Sequence, residues 1–171
     1  MSLPSVETAR ATMLSAIVPL AVQVVPLADA DGSWLAEPVT AGRDQPPFDA
    51  SAMDGWAVRS ADVQAGARLE IVGESAAGHD AGVTVDPGQA ARIFTGAALP
   101  PGTDRVVIQE EARRDGDRVV LAAAPDAPTW VRPRGCDFRA GAVLLETGTR
   151  LNPWRLALAA SAGRATVTCR R

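Results

Sequence analysis

Between Arg68 and Ala123 no apolar run lasts more than a few residues. Glycine or proline interrupts it at Gly73, Gly78, Gly82, Pro87-Gly88, Pro100-Pro101-Gly102 and Asp115-Gly116. Such punctuation leaves room for short strands joined by turns and none for a long helix. The apolar runs in between predict strands at 69–72, 83–85, 90–94, 105–109 and 118–121. Asp115-Gly116 lies between two strand-like runs and marks a hairpin. Just upstream, Trp56-Ala57-Val58-Arg59 alternates as a strand does, while 50–55 reads as a loop.

The helical signals lie towards the ends. Ser5 is placed to cap a helix running to about Val18, with Val6, Ala9, Met13, Ile17 and Leu20 on one stripe and Pro19 as its stop. Residues 22–25 predict a strand, and 27–36 a weak helical turn around Trp34. The prolines of Gln45-Pro46-Pro47-Phe48-Asp49 exclude helix there. Asn152 caps a second helix with Pro153 in its first turn, and Gly163 ends it. Strands are predicted at 143–145 and 165–169. The expectation is a mainly β fold with a few helices, of the α+β class. A discontinuous outer domain, 1–42 plus 129–171, would carry an inserted β domain at 43–128.

Composition narrows the function. Lysine is absent; the 17 basic residues are all arginine, against 20 acids. A net charge of −3 does not suit a nucleic-acid coat. No apolar stretch approaches the roughly 20 residues of a membrane span, and residues 1–20 do not read as a secretory signal. Two separated cysteines, Cys136 and Cys169, do not make a zinc site, and they fit a reducing cytoplasm. A single histidine, His79 in an exposed loop, leaves little scope for a histidine-based triad.

Three segments carry possible chemistry. In Pro47-Phe48-Asp49-Ala50-Ser51-Ala52-Met53-Asp54-Gly55-Trp56, two carboxylates flank small residues, and Gly55 allows a sharp turn. Asp54 would hold a hydrated divalent cation or a water; equally, Asp49 and Asp54 would cap backbone amides in a turn. In Arg92-Ile93-Phe94-Thr95-Gly96, a strand delivers a hydroxyl and adjacent amides that would meet an anion, or it is a plain strand exit. In Arg132-Pro133-Arg134-Gly135-Cys136-Asp137-Phe138-Arg139, three arginines would grip phosphate, or pair with surface acids. Glu110-Glu111 with Arg113-Arg114 reads as a charged, solvated turn. Trp34, Trp56, Trp130 and Trp154 read as packing residues rather than a stacking platform.

In this order the motifs resemble the amino-terminal part of the MoeA family, the molybdopterin molybdenumtransferases, to which the E-domain of gephyrin belongs. Residues 47–59 resemble the family's P-x-F-D-N-S-A-M-D-G-Y-A-V. Residues 92–97 resemble R-I-x-T-G-A, 107–111 V-V-x-Q-E, and 132–137 R-x-x-G-E-D. Trp56 stands for the usual tyrosine, Ala50 for the usual asparagine and Cys136 for the usual acid.

The resemblance implies coiled or bifurcated sheets and a reaction in molybdenum cofactor biosynthesis. Molybdenum from molybdate is inserted into adenylylated molybdopterin, with Mg2+ taking part. Asp54 matches the acid of the M-D-G motif, as catalytic and metal-binding residue, and Thr95 matches the T-G threonine. Arg132 and Arg134, with Ser51 and Gly96, fall where substrate or anion would be held. The family's later T-G-D-E, S-G-G-V-S and P-G-N-P motifs do not occur, so a pterin-binding third domain and a final β domain are expected to be absent. The resemblance implies a homodimer in which this chain furnishes half of the cleft and is inactive alone. Molybdopterin adenylyltransferase is a further implied partner. The alternative is a non-enzymatic dimerisation or interaction module on the same scaffold; a β-rich carbohydrate binder fits poorly with so few aromatics.

Overall fold

The computed structural model describes residues 3–79, 82–124 and 126–171. In chain order these form α1 (Val6–Ser15), β1 (Val22–Pro26), β2 (Trp34–Leu35), β3 (Val39–Thr40), β4 (Ala50–Ser51), β5 (Gly55–Val58), β6 (Arg68–Ser75) and β7 (Gln89–Ile93). There follow β8 (Arg105–Ile108), β9 (Ala112–Asp115), β10 (Arg118–Leu121), β11 (Val131–Arg132), β12 (Val143–Leu145), α2 (Pro153–Ser161) and β13 (Thr166–Arg170). The fold is mostly β with two helices, as the turn density demands.

The chain divides into two compact units, one of Met1–Gly42 with Gly141–Arg171 and one of Arg43–Ala140. Residues 129–140, grouped with the outer segments on composition, lie in the second unit. β11 pairs with β4, and the Ala140 amide donates to the Asp44 carboxylate. These bonds tie that stretch to the start of the inserted segment.

In the first unit β13 lies between β1 and β2, antiparallel to both, and β3 pairs with β12. Leu35, Leu151, Val167 and Cys169 are buried together with Ala159 of α2. Helix α2 begins as its cap signal requires: Asn152 Oδ1 accepts the Arg155 amide at 2.9 Å, with Pro153 behind it. Helix α1 stops at Ser15, short of the expected Val18. Pro19 disfavours helical geometry at the residue before it, and the Ser15 hydroxyl donates to Thr12 O. The apolar stripe of α1 buries nothing within the described residues; Val6, Met13 and Ile17 are all exposed. The helical turn expected around Trp34 is a short 3-10 turn at Leu27–Asp29, and Trp34 itself starts β2. Trp34 and Trp154 are exposed rather than packed.

The second unit is built on a six-stranded sheet of order β8-β5-β7-β6-β10-β9. Every pairing is antiparallel except β6 with β7, where a bulge falls between Ile71 and Gly73. All four residues of β5 are buried. Trp56, Val58, Leu69, Val107, Val119 and Leu121 form the main core, and Ala57, Ile93, Ala97 and Val106 form a second. Asp115-Gly116 makes the expected hairpin between β9 and β10. The charged run 110–114 is not a simple turn: a 3-10 turn at Gln109–Glu111 leads directly into β9. No strand forms at 83–85. Val85 is buried and its amide donates to Pro101 O, so a loop contact takes the place of a sheet ladder.

Candidate functional site

The β5–β7 register decides where the first two motifs meet. Gly55 lies opposite Ile93 in the antiparallel pair. Asp54, one residue before β5, therefore faces the chain just beyond β7, where Thr95 follows. Asp54 Oδ1 accepts two hydrogen bonds from Thr95, from its amide at 2.8 Å and from its hydroxyl at 2.7 Å. The anion met by this strand exit is thus the protein's own carboxylate. Those two bonds, amide first, hold the Asp54 carboxyl below the ordinary aspartate range; partial desolvation opposes them, and the charge of Arg92 adds to them. The side chain is ionised and oriented at neutral pH, half-exposed beside an exposed Thr95.

Gly55 plays a different part from the sharp turn expected of it. It lies within β5, opposite Ile108 of β8. A Cβ there would collide with the Val107 carbonyl oxygen and lie 2.9 Å from Ile108 Cα. Glycine is required because two backbones approach closely. Gly96 is the true turn residue, at φ +83°.

Residues 50 and 51 join the motifs. Ser51 N donates to Ala97 O and Gly96 N to Ser51 O, each at 2.9 Å. On the other side, β4 pairs with β11, setting Ala50 opposite Arg132 and Ser51 opposite Val131. The third motif is thereby drawn against the first. The Ser51 side chain is buried and its hydroxyl donates to Met53 O at 2.6 Å. That hydroxyl and the Gly96 amide are therefore spent on loop architecture and not presented to a ligand.

Arg132 and Arg134 are paired with acids. One Arg132 nitrogen reaches both Asp137 oxygens, at 2.7 and 2.9 Å. Arg134 Nε donates to Asp44 Oδ2 at 2.6 Å, while its amide donates to Asp49 Oδ1 at 2.7 Å. Asp49 and Asp54 thus both cap amides. Asp44, which no sequence motif marks, also accepts the Ala140 amide at 2.8 Å. That bond, then Arg134, pulls its carboxyl below the ordinary range.

Two further residues surround Asp54. Arg92 donates to Gly55 O and to Gln109 Oε1, both at 3.0 Å, and Gln109 N donates to Asp54 O at 3.0 Å. The Arg92 guanidinium lies 4.7 Å from the Phe94 ring centre and 5.5 Å from that of Trp56. Arg92 and Trp56 border a cleft of about 540 Å³ that extends to Glu74 and Arg114. Both Arg92 and Gln109 stand within motifs quoted above; the signal that marks them out is the strand register, which places Arg92 opposite Trp56 and Gly55 opposite Ile108. Among the described residues no group of three or more His, Cys, Asp or Glu is placed to hold a metal, and no helix is long and apolar enough to cross a membrane.

Comparison with known proteins bears on the whole of this arrangement. Residues 4–163 match the family model described as the MoeA N-terminal region, domains I and II. A molybdopterin molybdenumtransferase of Nostoc is 42% identical over 144 residues, covering 81% of this chain and 33% of its own length. One of Haemophilus influenzae is 36% identical over 169 residues, 98% of this chain and 42% of its own. The crystal structure of a molybdopterin biosynthesis MoeA protein from Pyrococcus horikoshii superimposes over 99% of this chain and 45% of that one, with a TM-score of 0.87 at 30% identity. The chain thus spans about a third to two-fifths of the length of these curated relatives.

Proposed function

The chain belongs to the MoeA family, whose N-terminal region it matches, and we propose from this that it is the part of a molybdopterin molybdenumtransferase that presents an oriented carboxylate to the reacting substrate. The observation that carries the reading is the Asp54–Thr95 contact. The two residues that match the family's functional acid and threonine are brought into direct contact from 41 positions apart.

Thr95 occupies Oδ1 with two donors. This fixes the rotation of the carboxylate and leaves Oδ2 as the oxygen to serve a ligand. A hydrated magnesium takes only one or two protein carboxylates and keeps several waters, the substrate's phosphate supplying further oxygens. A lone Asp54 fits that demand and would hold such an ion. When bound, the ion would supply charge neutralisation at the adenylate phosphate and molybdate oxygens. Asp54 itself would orient a water or the hydrated ion through Oδ2, while Thr95 keeps it ionised.

We assign molybdate and adenylylated molybdopterin as the substrates. The working assembly is read as a cytoplasmic homodimer, with molybdopterin adenylyltransferase supplying the adenylate. The two compact units serve as two domains, and the cleft is completed by a pterin-holding domain distinct from the region matched here. Arg132 and Arg134 take a secondary part, since an incoming anion must compete with Asp137 and Asp44.

The test is a chimera in which this chain replaces the matching region of the Haemophilus influenzae relative. It is assayed for molybdenum insertion with adenylylated molybdopterin, molybdate and magnesium. The chimera is expected to turn over, its Asp54→Ala form to lose insertion, and the isolated chain to be inactive. Full activity of the Asp54→Ala chimera would overturn the role of Asp54, and turnover by the chain alone would overturn the half-cleft reading. A folded but inactive chimera would favour the alternative of a non-enzymatic module.

A further inference from the structure

We propose that Arg92 is a positioning residue for Asp54, holding the backbone carbonyls of Asp54 and Gly55 by two routes so that the Asp54 carboxylate is kept against Thr95. This deepens, and rests on, the reading of Asp54 as the working carboxylate.

The clamp has two arms. One nitrogen of the guanidinium donates to Gly55 O, the residue immediately after Asp54. The other donates to Gln109 Oε1, and the Gln109 amide in turn holds Asp54 O. Arg92 therefore reaches the Asp54 peptide from the strand that follows it and from the residue beyond β8. A planar guanidinium suits this task, because its nitrogens diverge in fixed directions, whereas an ammonium is a point donor. The ring of Phe94 at 4.7 Å and that of Trp56 at 5.5 Å hold the guanidinium in place. Phe94 directly precedes Thr95, so the group that restrains Arg92 and the group that binds Asp54 are chain neighbours. The charge of Arg92 acts in the same direction, favouring the ionised carboxylate. Glu110, whose Oε1 accepts the Gln109 side-chain amide, is the acid adjoining the second arm.

A purely structural role in the sheet would loosen the β5–β7 ladder amides as much as the Thr95 amide, and this separates the two accounts. The experiment follows hydrogen exchange of the Thr95 amide, the donor to Asp54 Oδ1, by 1H–15N NMR in the 171-residue chain at one fixed neutral pH, with the β5–β7 ladder amides as internal reference. Asp54→Ala should speed exchange at Thr95. Arg92→Met should also speed it and leave the ladder amides unchanged. Arg92→Lys, which keeps the charge and loses the fork, should lie between wild type and Arg92→Met. Gln109→Ala, at an exposed position that the fold should tolerate, removes one arm and should act in the same direction by less. Wild-type exchange at Thr95 in folded Arg92→Met overturns the proposal, as does an equal acceleration of the ladder amides. Should that variant fail to fold, wild-type exchange in Gln109→Ala overturns it instead. None of these readouts depends on molybdenum transfer, so the clamp and the catalytic reading fail separately.

Discussion

Asp44 and Ala140, 96 residues apart, are joined by a 2.8 Å hydrogen bond from the Ala140 amide to Asp44 Oδ1. They stand at the two ends of the segment Arg43–Ala140. The same carboxylate holds Arg134 through its other oxygen. Asp44→Ala removes both bonds and is expected to lower the melting temperature of the chain and speed hydrogen exchange at the Ala140 amide. Asp44→Asn keeps an acceptor and should be milder. Equal exchange in wild type and Asp44→Ala would refute the clasp.

Acid should loosen this unit in a defined window. Asp44 and Asp54 both have folded-state pKa values below the ordinary value of 3.8. For such groups the unfolded chain binds protons first. Their contribution is whole above the ordinary value and is lost as pH falls through the lowered folded values. Denaturant midpoints measured from pH 6 to pH 2 should therefore fall more steeply for the wild type than for an Asp44→Asn, Asp54→Asn double variant. The two curves should converge at the acid end.

Thr95→Val and Thr95→Ser separate the two bonds to Asp54. Valine deletes the hydroxyl bond and keeps the amide bond. The Asp54 carboxyl, followed by 13C NMR, should titrate higher in Thr95→Val, whereas Thr95→Ser should titrate as the wild type does. In the chimera, molybdenum insertion should fall in Thr95→Val and survive in Thr95→Ser.

Gly55→Ala places a methyl group against the Val107 carbonyl. The pairing of β5 with β8 must open to receive it, at a cost of about 2–4 kcal/mol. Chemical denaturation should register that loss. A change below about 0.5 kcal/mol would mean that the strands yield freely.

Asp137→Asn should liberate Arg132. Both its oxygens accept from one guanidinium nitrogen, and exposed pairs of this kind contribute little to stability. The melting temperature should hardly move, while molybdate or phosphate added to the 15N-labelled chain should shift the 131–137 amides more than in the wild type. Equal shifts would show that Asp137 does not compete with anions.

What could be read in advance was local. Asn152 with Pro153 marked the start of α2, Asp115-Gly116 the hairpin, and the M-D-G and T-G segments the two residues, Asp54 and Thr95, that come into contact. Each of these is encoded within a few neighbouring residues. The remainder depends on partners far along the chain. The β4–β11 pairing joins Ser51 to Val131, and the acids that occupy Arg134 lie 85 and 90 residues away. Val85 has the side chain of a strand residue, yet one loop contact with Pro101 decides its state. Gly55 resembled a turn glycine because the sequence carries no trace of the opposing Val107 carbonyl. The stripe on α1 was legible as a pattern, but a pattern does not say what it will cover.

The two residues of β4 deserve to be treated as a single point of failure. Ala50 and Ser51 carry the strand exit at Gly96 on one side and the arginine loop on the other, so distortion there would disable three loops together. A lesion at either position would mimic loss of the chemistry while leaving every reactive side chain intact. In a collection of inactive variants, such scaffold defects should be sorted out by structure before any are counted as catalytic.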